Sequence, residues 1–203
     1  MSVADSCVVV VGCGLAAVGG RVEWAAVCEE LMSPSHPYAS KDGSLVVRES
    51  NADWTAATVG NVMITIMRKR GTAEQMRQLR RIHDEWYRAH PQGVATFNVV
   101  FPSTLIPEAD AHIVAADALN AMQGHHLAST TVILGTGFWA ATMRSVLTTI
   151  FAVSRSRVPQ KVVGTLDEGV RAQSRVLGVN GPPAGAFLEA CNALMAEHRT
   201  PGG

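Results

Sequence analysis

The residues best placed for chemistry are Gly135-Thr136-Gly137, between the apolar run Thr131–Leu134 and the helical pattern Phe138–Val153. A helix starting there turns its free backbone amides outward, which favours a phosphate or carboxylate. Thr136 would add a hydroxyl donor. Arg144 sits on the same helix, but roughly 10 Å along its axis at about 1.5 Å per residue, a poor position for direct contact. A purely structural reading covers the same residues. Two glycines permit a tight strand-to-helix turn, and Thr136 caps the helix.

Gly12-Cys13-Gly14-Leu15-Ala16-Ala17 follows Val8–Val11 and fits the form G-x-G-x-x-A. A dinucleotide site needs a second strand and an acidic residue about 20 positions on. Leu31–Ser40 is rich in Pro and Ser instead, so the βαβ unit is not completed. Asp110, His112, His125 and His126 invite a metal reading. Adjacent histidines point apart on any regular backbone, and no third ligand stands at helical spacing, so neither a metal nor a cofactor is expected. No Ser/His/Asp order and no nucleophile elbow stands out, so the expectation leans away from an enzyme. Arg68, Lys69, Arg70, Arg77, Arg80, Arg81 and Arg88 form a basic set, diluted by Glu74, Asp84 and Glu85. A solvated helix face accounts for it more simply than an anionic partner.

Composition narrows the classes. Seventeen basic residues balance seventeen acidic ones, so net charge gives no support to nucleic acid as a partner. The apolar fraction of 47% can fill a core, while 17% charged is low enough to suggest a surface covered by a partner. Cys7, Cys13, Cys28 and Cys191 show no metal-ligand spacing and read as reduced thiols of a cytoplasmic protein. The run Cys7–Gly20 lacks a preceding basic residue and is too short and broken for a secretory signal or a membrane span.

The elements that must position these groups begin at Leu45. Residues 1–44 read as an apolar N-terminal extension and linker. Leu45–Arg48 and Trp54–Thr58 are short strands, and Val62–Met67 completes a hairpin. Trp54 is the aromatic expected to be exposed at an edge. Thr72-Ala73-Glu74-Gln75 has capping-box spacing, so a helix follows to about His90 with Met76, Leu79, His83, Trp86 and Tyr87 on its inner face. Val94–Phe101 reads as a strand buried on both faces, Glu108–Gln123 as a helix closed by Gly124, and Thr131–Leu134 as a strand. Lys161–Leu166 is a last strand, and Asp167 caps a short helix from Glu168 to Leu177. Residues 179–203 form a C-terminal extension with one amphipathic piece, Ala184–His198. An opening hairpin followed by alternating units predicts an α/β fold, a mixed sheet backed by helices.

This order resembles the SpoIIAA-like branch of the STAS superfamily, often described as STAS/Sec14-type, over about residues 45–178. The residues that carry the resemblance are VMITIMRKRGTAEQM, VATFNVVF, VILGTGFWAATMRSVLTTIF and KVVGTLDEGVRAQSRVLG. It implies a mixed sheet of four to five strands in a non-catalytic module that binds partner proteins, with some members binding lipids or small anions. Anti-sigma-antagonist members carry a phosphorylatable serine in an Asp-Ser-Ser-Gly motif. Here the matching loop is Phe101-Pro102-Ser103-Thr104-Leu105, which lacks the Asp and Gly. Ser103 is therefore a candidate phosphosite by placement alone.

The expectation is a non-enzymatic, STAS-like regulatory or protein-interaction module, self-associating as a homo-oligomer through its apolar ends. The alternative is a carrier or small enzyme taking an anionic small molecule or lipid at Gly135, Thr136 and Gly137.

Overall fold

The computed structural model describes residues 39–40, 43–90, 92–122, 124–154 and 157–196. The Gly12–Ala17 turn lies outside the described residues. A two-residue pairing of Ala39–Ser40 with Gly43–Ser44 precedes the main fold.

Three consecutive strands open that fold: β1 (Val46–Ser50), β2 (Trp54–Val59) and β3 (Val62–Met67). They pair antiparallel in sequence order. Alternating units follow: α1 (Ala73–Ala89), β4 (Val94–Val100), α2 (Ala109–Ala121), β5 (His126–Ile133), α3 (Gly137–Ser154), β6 (Gln160–Val163) and α4 (Leu166–Leu177). A 3-10 turn at Gly178–Asn180 leads into α5 (Ala184–Ala196). From β3 to β6 neighbouring strands are parallel, as helical crossovers require. The mixed sheet has six strands in the order of the chain, not the expected four to five. Val46–Ser50 adds an antiparallel edge and Gln160–Val163 a parallel one.

Helices cover both faces of the sheet. On one, Phe97, Val99, Ile64 and Val132 pack with Val170 and Leu177 of α4 and with Phe187, Cys191 and Leu194 of α5. Phe97 and Phe187 meet edge-on with centroids 4.9 Å apart. The apolar side of the C-terminal helix is thus consumed inside the fold, and burial pushes the Cys191 thiol pKa up. Gly169 lets α4 approach closely: a Cβ there would lie 2.6 Å from Val132 Cγ2 and 2.9 Å from Phe97 Cζ.

The opposite face carries α1, α2 and α3. Thr72 caps α1, accepting from the Gln75 amide at 3.2 Å while its own amide donates to Gln75 Oε1 at 3.0 Å. Both bonds of the expected capping box are therefore made. Three expectations are corrected. Strand β5 starts at His126 and not at Thr131, because His126, Ala128, Ser129 and Thr130 also pair with β4. Helix α4 starts at Leu166 with Thr165, not Asp167, accepting from the Glu168 amide. Trp54 is only 2% exposed, its ring turned into the core.

Candidate functional site

Between the sheet and α1–α3 lies a cavity of about 170 Å³. Its walls are apolar: Met76 and Leu79 from α1, Leu119 from α2 with Met122 at its end, and Met143, Val146, Leu147, Ile150 and Phe151 from α3. The room comes from α2. Ala111, Ala115 and Ala118 recur at helical spacing and face inward, so the middle helix presents methyl groups where longer chains would fill the space.

The floor is polar. Thr65, Asn98 and Thr131 lie in register on β3, β4 and β5, and Thr96 and Ser129 form the next row. All five line the cavity. Hydrogen bonds order the second row. Thr96 Oγ1 donates to Ser129 Oγ at 3.0 Å and lies 3.0 Å from His126 Nε2. With its own proton committed to Ser129, Thr96 must accept from an Nε2–H. His126 therefore donates into this chain and is not set to draw a proton from Thr96 as a general base would. The Ser129 hydroxyl proton is the end of the chain.

Thr65 Oγ1 and both ring nitrogens of His83 are buried without a hydrogen-bond partner. His83 projects from the inner face of α1 and lines the cavity. Burial, reinforced by the neighbouring His126, pushes its pKa down to about 3, so the ring is neutral near pH 7. Burial likewise lowers His126 to about 4. Arg80 is the one charged side chain lining the cavity, and Asp84 holds it at 3.0 Å. The charge of Arg80 is thus compensated, and His112, a further imidazole in the lining, has its Nε2 buried without a hydrogen-bond partner.

The sequence-predicted positions fall elsewhere. Gly135 and Gly137 both take positive φ, at 135° and 75°, as a tight strand-to-helix turn requires. Gly135 is shielded by Pro102 and Trp139, whereas Thr136 and Gly137 face solvent. Arg144 lines a separate groove with Lys161, Arg171 and Arg175. Ser103 is exposed, and its hydroxyl donates to the Arg68 carbonyl at 3.3 Å. The fold does bring the Ser103 loop and the glycine turn together: Trp139 Nε1 donates to the Thr104 carbonyl at 2.8 Å. None of Gly135, Thr136, Gly137 and Ser103 lines the cavity. Among the described residues, no group of His, Cys, Asp or Glu is placed to hold a metal ion. The basic set is largely engaged. Lys69 pairs with Asp53, Arg77 and Arg81 with Glu74, and Arg80 with Asp84. Arg68 donates to the Asn51 carbonyl and to Thr55.

No family model, curated protein or solved structure matches this chain. One signal of the site was present in the sequence. Thr96 and Asn98 are alternate residues of an otherwise apolar strand, and Ser129 and Thr131 stand at the same spacing in the next one. Alternation puts each pair on one face.

Proposed function

We propose that this protein is a non-enzymatic, STAS-like binding module whose ligand is a small, mainly apolar molecule held between the sheet and α1–α3. The observation that carries this reading is the 170 Å³ cavity itself. Protein interiors rarely leave voids larger than a water molecule. This one is lined by apolar walls from three helices and is partly open to solvent, so a molecule can reach it from outside. Three inward alanines maintain the space where one Leu would reduce it. The likeness of the element order to STAS domains, generally non-catalytic modules, supports the binding class.

Methyl-detected NMR with toluene tests this. The expected result is shifts at Met76, Met122 and Met143, with Met195, in the core on the opposite face of the sheet, unaffected. Absence of shifts at those three methionines at saturating toluene would overturn it.

A second reading concerns a protein partner. Phe138 is 88% exposed at the start of α3, while Leu105 and Ile106, in the loop that Trp139 anchors, are 56% and 43% exposed. Large apolar side chains gathered at one end of a sheet favour docking. A regulatory partner or a second copy would sit there, beside Ser103. Light scattering on wild type and Phe138→Asp tests self-association. A wild-type dimer that Phe138→Asp dissociates supports it, and a wild-type monomer at micromolar concentration counts against it.

A further inference from the structure

Resting on the cavity reading above, we infer that the occupant is an uncharged, ring-sized molecule bearing one hydroxyl or carbonyl group, of the phenol class, oriented by His83 and the Thr65–Ser129 floor. Three observations carry this. The first is size. A cavity of about 150 Å³ accommodates benzene, so about 170 Å³ suits a single substituted ring. Thioether, aliphatic and aromatic walls supply the contacts for it.

The second is unmet hydrogen bonding. His83 is 7% exposed and Thr65 2%, and neither ring nitrogen of the one nor the hydroxyl of the other has a partner. Buried polar atoms are nearly always satisfied. Ser129, at the end of the His126–Thr96 chain, has a further proton to give. A ligand hydroxyl can accept from Ser129 or Thr65 and donate to an imidazole nitrogen. A hydrocarbon would leave the Thr65 hydroxyl and both His83 nitrogens without partners.

The third is charge. No Asp, Glu or Lys lines the cavity, and Arg80 is committed to Asp84. A carboxylate or ammonium would enter without a counterion, which the low-dielectric interior penalises heavily.

The test compares three molecules of nearly one shape. These are p-cresol, p-xylene and p-toluate, titrated calorimetrically into the full chain near pH 7.5. In an apolar cavity p-xylene would bind best, because the cresol hydroxyl must be stripped of water. Here p-cresol is expected to bind at least about tenfold tighter than p-xylene, and p-toluate more weakly than either. His83→Leu and the near-isosteric Thr65→Val should each narrow the cresol-to-xylene ratio while p-xylene still binds. Two variants guard against one failing to fold, and the wild-type ratio requires neither. Binding of p-xylene as tight as p-cresol overturns this inference but leaves the cavity reading standing. Tighter binding of p-toluate overturns the neutral class. Binding of none of the three overturns both.

Discussion

Acidification toward pH 5 should destabilise this fold, and the cause is the pair of buried imidazoles. His83 and His126 are 7% and 6% exposed, with pKa values lowered by burial to about 3 and about 4. In the unfolded chain both return to about 6.5. Below that pH the unfolded state binds protons that the folded state refuses, so stability falls as pH falls. It is fully present above about pH 6.5 and is lost progressively toward the folded values. Each unit in this window costs about 1.4 kcal/mol per histidine. At pH 5, about 1.5 units below the unfolded value, each imidazole therefore costs about 2 kcal/mol, and the two about 4 kcal/mol together. For a domain of this size about 1 kcal/mol shifts Tm by roughly 2–4 °C, so Tm should drop by roughly 8–16 °C between pH 7.5 and pH 5. Differential scanning calorimetry across that range measures it. His83→Leu should remove about half of the pH dependence, because its share of the proton linkage disappears. A wild-type Tm that moves by less than about 4 °C, or a His83→Leu protein with the full wild-type slope, would refute the reasoning.

Other outcomes follow from packing and capping. Gly169→Ala would gain about 1 kcal/mol of helix propensity but place a Cβ 2.6 Å from Val132. A net loss of about 1–2 kcal/mol in urea unfolding is expected from overpacking. Ala115→Leu, which fills the cavity, should raise stability by about 0.5–2 kcal/mol and abolish the toluene-induced NMR shifts. Thr165→Ala removes the acceptor for the Glu168 amide and should cost about 1 kcal/mol, while Asp167→Ala, at a position that does not cap, should cost clearly less. Trp139→Phe keeps most of the ring but loses the 2.8 Å bond to the Thr104 carbonyl. It should raise hydrogen exchange in the loop at Ser103 and Thr104 while lowering global stability by about 1 kcal/mol.

Local features were legible because their causes are local. The Thr72–Gln75 box depends on residues three apart, and the helix face Met76–Leu79–His83 on a period of 3.6. The glycine turn at Gly135 and Gly137 likewise follows from what L-residues disfavour in that conformation. Strand ends were less legible. Nothing near His126 in the sequence marks it as a strand residue, and it becomes one only because β4 supplies the partners. Trp54 read as an edge aromatic because the sequence does not show β1 closing over one side of its strand.

The sequence by itself determined the α/β alternation, the cap and inner face of the first helix, and the glycine turn. Each rests on propensity or periodicity within a few residues. Tertiary structure alone decided the site. It set Thr65, Asn98 and Thr131 side by side from three separated strands, and it brought His83 of α1 over that floor. It also directed the small side chains of α2 at the same volume. A cavity is a property of side chains that fail to meet, and no local sequence pattern records that. The glycine turn, where a helix start offers amides to solvent, is positioned by the same fold but lies outside that volume.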